Sequence, residues 1–368
     1  MQSAIIAQQF DVEGRVFSAE PMGHGNVNDT YLVIYRTVYS EQRIVLQRIN
    51  KRVFKEPEKV MSNMRNVTEH VHTVLQNEQE QADRIWQLPK IIQAKDGKDF
   101  FIDDKGEYWR AITQIASARS YERIQNADHA HEVGAVLGQF HHAISDMDSA
   151  MLHDTLPGFH ITPGYFKTLD DALETKEGRE RLNSSKVAGN VFKFLESRRE
   201  WSSVLEDAKA RGELKLRPIH GDPKTANIMI DDVTGKGTSI IDLDTVKPGL
   251  IHYDIGDCLR SCCNPAGEET HDVSSVFFDL DMCSALLKGY REQAQGFLTD
   301  ADKNYLYDCI RLITYELALR FFADYIAGDV YFKIREEGQN LFRSRVQVQL
   351  CRSIEARESQ IRKMLERI

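Results

Sequence analysis

The sequence predicts an α+β protein in two parts, a small β-rich N-terminal lobe over residues 1–115 and a larger, mainly helical C-terminal lobe over residues 116–368. Three observations predict it. Strand-like segments separated by Gly, Asn and Asp turns crowd the first 115 residues. Apolar residues recur at helical spacing through most of the remainder. At 368 residues, the chain also exceeds one ordinary domain of roughly 100–200 residues.

Arg15–Glu20 reads as a strand leading into Pro21-Met-Gly-His-Gly-Asn-Val-Asn-Asp-Thr30, and Tyr31–Tyr35 is rich in β-formers, so the pair predicts a hairpin around a Gly/Asn turn. Arg43–Ile49 is the next strand. Pro57–Gln79 predicts a helix: Pro57 suits a first helical position, and Val60, Met64, Val67, Val71 and Val74 form its apolar stripe. Lys90–Ala94, Phe100–Asp103 and Tyr108–Ile115 predict three more strands around Asp-Gly and Lys-Gly turns. Asp128–Ile144 is then helical, with Ala130, Val133, Val136, Leu137, Phe140 and Ala143 in period. Val187–Lys209, Val273–Tyr290, Ala301–Ala327 and Gln339–Ile368 are further helices, the last amphipathic and expected to dock on the helical lobe. Leu216–Ile219 and Ser239–Leu243 are strand-like interruptions. The two lobes join near Thr113–Ser117.

Composition narrows the function. Hydrophobic residues make up 42% and charged residues 28%, an ordinary globular balance. A net charge of −9 with no basic block argues against nucleic acid as a partner, because phosphate backbones need clustered Lys and Arg. No apolar run approaches the ~18 residues of a membrane span, and Met1–Phe10 has no basic leader or apolar core of a secretory signal. The six cysteines lack a paired Cys-x-x-Cys pattern and none precedes residue 258. A reduced, cytoplasmic setting is expected, without a disulfide framework or structural zinc. The oligomeric state stays open, with a monomer as the default.

The chemistry concentrates in Ile219-His-Gly-Asp-Pro-Lys-Thr-Ala-Asn-Ile-Met-Ile-Asp231 and Ile240-Ile-Asp-Leu-Asp-Thr-Val246. Phosphoryl transfer from ATP asks a protein for positioning and charge neutralisation. One carboxylate orients the acceptor hydroxyl, an amide oxygen and a second carboxylate hold Mg²⁺, and a cation faces the γ-phosphate. Asp222, Asn227, Asp242 and Lys224 supply those roles in the His-x-Asp-x-x-x-x-Asn spacing of a kinase catalytic loop. Gly221-Asp222-Pro223 alone would be a β-turn, and Asn227 alone a capping residue; the joint pattern is what carries the reading. The turn Gly23-His-Gly-Asn-Val-Asn28 stands where kinases place a phosphate-covering loop, although a hairpin turn has the same composition.

These segments resemble the aminoglycoside phosphotransferase/choline kinase superfamily, which has a protein-kinase-like fold. The closer resemblance is to bacterial N-acetylhexosamine 1-kinases, over roughly residues 20–345. It is carried by Gly23–Val33, Leu46–Asn50, Val53-Phe54, His220–Asn227, Asp242–Gly249, Tyr253–Arg260 and Glu316–Phe332. It implies Asp222 as catalytic base, Asn227 and Asp242 as magnesium ligands, and Arg320 and Tyr331 as sugar contacts. It implies transfer of the ATP γ-phosphate to the anomeric hydroxyl of N-acetylglucosamine or N-acetylgalactosamine. The nucleotide side is expected at Gly23, Gly25, Asn26, Gln47, Gln114 and Ile115. The rivals are a kinase for another sugar, an aminoglycoside or an amino alcohol, and a catalytically silent nucleotide-binding regulator.

Glu316, Arg320 and Asp324 share one helical face at i, i+4, i+8. They form either a solvated charge ladder or a site in which Glu316 or Asp324 holds Arg320 against the sugar. Phe321, Tyr325 and Tyr331 are either core or sugar-facing rings. Protein kinases grip phosphates with a third-strand Lys; here that strand offers Gln47, with Arg48 on the opposite face. Asp254, Asp257 and Arg260 read as ion pairing that braces the catalytic loop. Asp244 either touches magnesium or supports Asp242. His141 and His142 read as helix-end charge or packing, and His24 as a turn residue.

Overall fold

The computed structural model describes residues 2–22, 27–78, 84–294 and 296–367. Helix α1 (Gln2–Ala7) precedes strands β1 (Arg15–Pro21), β2 (Asp29–Arg36) and β3 (Glu41–Arg48), helix α2 (Pro57–Glu78), and strands β4 (Ile91–Ile92), β5 (Phe101–Ile102) and β6 (Tyr108–Thr113). Strand β7 (Ala118–Arg119) leads to helices α3 (Ala127–Ala143), α4 (Thr162–Glu174), α5 (Lys176–Asn183), α6 (Lys186–Glu196) and α7 (Val204–Ala210). Short strands β8 (Arg217–Ile219), β9 (Ile228–Asp231), β10 (Gly237–Ile240) and β11 (Lys247–Gly249) follow. Helices α8 (Ile251–Cys262), α9 (Leu280–Gln293), α10 (Asp300–Asn304), α11 (Leu306–Ile326), α12 (Gln339–Ala356) and α13 (Glu358–Leu365) come last. The α+β class is therefore as expected, an antiparallel sheet followed by helices.

The main sheet runs β1-β2-β3-β6-β4, with β5 also on β6, and every pairing is antiparallel. Alternation sorts its faces. Val33, Tyr35, Ile44, Leu46, Trp109 and Ala111 pack on Ile6, Ala7 and Phe10. The opposite face turns Val45 and Ile112 to the main core. It also carries a polar row, Thr30, Gln47 and Arg110, in register across β2, β3 and β6. The main core extends from Ile49 through α2 and α3 to Leu365. Val60, Met64, Val67 and Val71 of α2 are buried in it as expected, joined by Met61 and Leu75, while Val74 is only half-buried. Helix α12 packs on α11 and buries Val346, Leu350 and Ile354, so the C-terminal segment docks. Among the described residues, no helix is long and apolar enough to cross a membrane.

Several expected helices are shorter than their apolar period. Val187–Lys209 is split between α6 and α7, where Ser197 and Ser202 hydroxyls donate to Phe194 and Arg199 carbonyls and compete with the helical ladder. The helix expected from Val273 begins at Leu280, because the Asp279 carboxylate caps it by accepting from the Asp281 and Met282 N–H groups. Ala301–Ala327 divides at Tyr305: α10 starts at a Thr299/Asp302 capping box and ends where the Tyr305 N–H donates to the Asp302 and Lys303 carbonyls. Gln339–Ile368 divides at Arg357. The strand expected over Ser239–Leu243 stops at Ile240, before Asp242 turns left-handed. Helices α1, α4, α5 and α8 and strands β7, β9 and β11 were not among the expected elements.

Candidate active site

Strand β8 pairs with β11, and β9 pairs with both β10 and β7, so the His220–Asn227 loop hangs between a two-stranded and a three-stranded antiparallel sheet. Its backbone is tied to buried side chains. The Asp254 carboxylate of α8 accepts from the His220 N–H at 2.7 Å and the Gly221 N–H at 2.8 Å, and its Oδ2 lies 3.0 Å from His141 Nε2. Burial opposes charge on Asp254, but His141, His220 and the Gly221 N–H outweigh it and hold the carboxyl below its usual range. Burial keeps His141 neutral, so Nε2–H donates to Asp254 and Nδ1 accepts from Tyr290 Oη–H at 2.9 Å. His141 is thus a buried hydrogen-bonded brace, beyond the helix-end charge or packing read for it. His220 is neutral for the same reason: its Nδ1 accepts from the Asp222 N–H and its Nε2–H donates to the Ile241 carbonyl. Gly221 has φ of 87°, and a Cβ there would meet the Thr245 carbonyl oxygen at 2.6 Å, so this turn requires glycine.

The four residues of the expected catalytic set come together. Lys224 Nζ donates to Asp222 Oδ2 at 2.7 Å, and Asn227 Nδ2 donates to the Asp222 carbonyl at 2.7 Å and to Oδ2 at 3.2 Å. That fixes the Asn227 amide with its nitrogen inward and leaves the oxygen for another ligand. The Ile241 N–H donates to the Asn227 carbonyl at 2.9 Å, bringing Asp242 beside Asn227. Side chains of Asp222 and Lys224 keep 28% and 37% exposure, so a ligand can reach them. Burial opposes ionisation of Asp222, but Lys224 and His220 hold its carboxyl down. Asp242 has left-handed backbone, φ 67°. It opens into the cleft, where desolvation and then the neighbouring Asp244 push its carboxyl up to about 6.

Asp244 resolves toward support. It is 3% exposed, pairs with the Arg110 guanidinium of β6 and accepts from Asn28 Nδ2. Arg110 Nε and Nη2 both donate to Gln47 Oε1, at 2.9 and 2.8 Å, and Gln47 Nε2 donates to Thr30 Oγ1 at 3.1 Å. The polar row of the sheet therefore reaches the Asp242–Asp244 segment through one buried cation, which also acts on Asp242. Arg110 was not expected; its only trace in the sequence is a charge inside a strand otherwise bound for burial. Arg48 faces away and pairs with Asp29. Gln114 and Ile115 lie in the connection after β6, with Ile115 buried. Gly23, Gly25 and Asn26, with His24, lie outside the described residues.

Helix α11 supplies the opposite wall. Arg320 keeps 14% of its side chain exposed, with Nη1 3.9 Å from Glu316 Oε1. Its guanidinium carbon stands 5.1, 5.2 and 5.5 Å from the ring centroids of Phe159, Tyr165 and Phe332. Glu316 is 1% exposed and accepts from Thr162 Oγ1 at 2.8 Å; its Oε1 lies 3.0 Å from His160 Nδ1. The charged trio is therefore no solvated ladder. Asp324 does not hold Arg320: its carboxylate accepts the N–H groups of Val330, Tyr331 and Phe332 and Asn340 Nδ2, folding the loop after α11. Tyr331 is exposed on that loop and packs edge-on against Phe332. Phe321 is core, and Tyr325 bonds away to Ser184, so the rings around the cation are Phe159, Tyr165 and Phe332. Phe159, His160 and Tyr165 went unread because residues 145–186 carry no motif.

The model of the phosphotransferase enzyme family (APH) matches residues 18–278. Three solved structures align over nearly their full length. A microcompartment-associated aminopropanol kinase is 16% identical, with TM-score 0.59 and coverage of 98% of each chain. An aminoglycoside phosphotransferase from Alicyclobacillus acidocaldarius is 12% identical, with TM-score 0.62 and coverage of 99% of this chain and 96% of that one. A choline kinase from Cryptosporidium parvum is 13% identical, with TM-score 0.58 and coverage of 99% of each. At such identities the likeness is one of fold, the kinase-like two-part architecture. The family match extends over most of the chain and spans the loop that carries Asp222, and the chain belongs to the phosphotransferase enzyme family.

Proposed function

We propose that this phosphotransferase moves the γ-phosphoryl group of ATP to the anomeric hydroxyl of N-acetylglucosamine or N-acetylgalactosamine, giving the 1-phosphate and ADP. The observation that supports this acceptor is the partly exposed Arg320 in its aromatic cage beside the catalytic loop. A guanidinium already fills the space that an acceptor's ammonium would want. Two like charges about 5 Å apart at an effective dielectric of ~20 repel by about 3 kcal/mol, roughly 200-fold in affinity. That penalty disfavours amino alcohols and aminoglycosides, whereas hydroxyl and acetamide oxygens accept from Arg320. Tyr331, on the neighbouring loop, completes the sugar side.

Residues 1–115 then cover the nucleotide, with Gln47, Gln114 and Ile115 on its path, and residues 116–368 carry catalysis and acceptor binding. Asp222 orients the anomeric hydroxyl and takes its proton late, since a loose transition state asks little nucleophilicity. Its depressed pKa suits that task better than strong basicity would. Lys224, held charged by Asp222, offsets charge on the transferring group. Asn227 and Asp242 fit Mg²⁺: one oriented amide oxygen and one carboxylate with no hydrogen bond among the described residues are hard donors, and Mg²⁺ on phosphates uses few protein ligands. When bound, the ion neutralises phosphate charge.

Because protonation competes with the metal, Mg²⁺ affinity should hold above the Asp242 value of about 6 and weaken below it. The slope approaches about tenfold per pH unit. Titrating Mg²⁺ into the protein at pH values on either side of about 6 checks this; a flat profile would remove Asp242 as the titrating ligand.

The acceptor is tested by ADP release across N-acetylglucosamine, N-acetylgalactosamine, plain hexoses, choline, homoserine and an aminoglycoside. Turnover on an N-acetylhexosamine that disappears when the anomeric oxygen is methylated is the expected result. Turnover only on choline or the aminoglycoside would discard the sugar pocket. Stabilisation by ATP–Mg²⁺ with no ADP from any acceptor would favour a silent regulator.

A further inference from the structure

We infer that His160 is a buried imidazolium and a positioning residue that locks the catalytic loop to the acceptor wall. What the lock serves rests on the proposed function above; the protonation of the ring does not. His160 is 4% exposed and sits at φ 65°, a left-handed backbone that side-chain-bearing residues adopt uncommonly. Its Nε2 lies 2.8 Å from the Gly221 carbonyl oxygen and its Nδ1 3.0 Å from Glu316 Oε1. A carbonyl oxygen only accepts. Glu316 is ionised too, because it already accepts from Thr162 and pairs with Arg320. A neutral imidazole carries one N–H and would set a lone pair against one of these oxygens. Only the doubly protonated ring satisfies both.

The surroundings agree. The ring stacks on Tyr253 of α8 at 5.2 Å between centroids. The ionisable groups facing it are Glu316 and Arg320 from α11, Tyr253 and Asp257 from α8, Tyr165 from α4, and Asp222 next to Gly221. Burial works against the charge, but Glu316, the Gly221 carbonyl and Asp257 outweigh it and raise the pKa above the ordinary imidazole value. Gly221 immediately precedes Asp222, and Glu316 lies one helical turn from Arg320. A single ring thus spans the residue that orients the acceptor hydroxyl and the residue that holds the acceptor. A raised folded pKa places the effect on the alkaline side: the lock is complete below about pH 6.5 and is lost as pH rises through the folded value.

The test begins with nitrogen-resolved NMR of the full chain, the ring assigned through its backbone and through His160→Gln. Both ring nitrogens are expected protonated at about pH 6.5, where an ordinary imidazole is half deprotonated. One protonated and one bare nitrogen would overturn the inference. Glu316→Gln removes the anion without changing shape, and the His160 ring should then lose its second proton at that pH; an unchanged ring would also overturn it. These readings need no acceptor, so a wrong acceptor leaves them standing. In turnover, His160→Gln should lower kcat by about 10²-fold and raise the acceptor KM while leaving the ATP KM in place. A kcat within about twofold of the parent in the folded variant would reduce His160 to packing.

Discussion

Asp222→Asn is expected to lower kcat by about 10³-fold while the ATP KM changes by less than roughly threefold. The asymmetry follows from the geometry. The amide keeps the volume of the carboxylate, and the Asn227 bond to the Asp222 backbone carbonyl survives, so the proposed metal ligands stay where they are. The losses are the acceptor for the hydroxyl proton and the charge partner of Lys224, 2.7 Å away. Steady-state kinetics with ATP and acceptor varied separately, beside a melting curve, separates these effects. Near-normal turnover would take Asp222 out of the base role.

Asp254→Ala should destabilise the fold by about 3–5 kcal/mol, because three buried N–H donors lose their acceptor at about 1–3 kcal/mol each. Asp254 is fully buried, and its two oxygens receive the His220 N–H, the Gly221 N–H and His141 Nε2–H. Removing it strands all three donors away from water. Its folded pKa lies below the ordinary 3.8, so its contribution is complete above that value and disappears as pH falls through the folded pKa. Urea denaturation of parent and variant should show the full gap at neutral pH and a shrinking one in acid. A small neutral gap, or one that persists unchanged in acid, would mean that Asp254 does not brace the loop as an anion.

Both residues were singled out in the sequence, Asp254 as a brace of the catalytic loop, but its partners are the His220 and Gly221 N–H groups and His141, while Arg260 pairs with Asp257 instead. Asp222, Lys224, Asn227 and Asp242 were legible because neighbouring strands deliver them. The loop ends where β9 begins, β10 pairs back on β9, and a main-chain bond from Ile241 to Asn227 brings Asp242 alongside. The helical period likewise put Glu316 and Arg320 on one face. The partners of that face were not legible, since Glu316 binds His160 across 156 residues and Asp324 turns to its own loop. Arg110 is the same case, a charge whose meaning depends on Asp244 arriving from another part of the chain.

Residue order and spacing alone were enough for the α+β class, the hairpins, the helical second half and the loop that gathers Asp222, Lys224 and Asn227. All of these rest on main-chain hydrogen bonding and on apolar periods a few residues long. The ends of the long helices, the Arg110–Asp244 pairing, the Asp254 cradle, and the cage that encloses Arg320 beside His160 were decided by tertiary structure. Each depends on which buried polar group meets which partner once the chain has closed, and the cost of leaving such a group unpaired in a dry interior is what selects the arrangement.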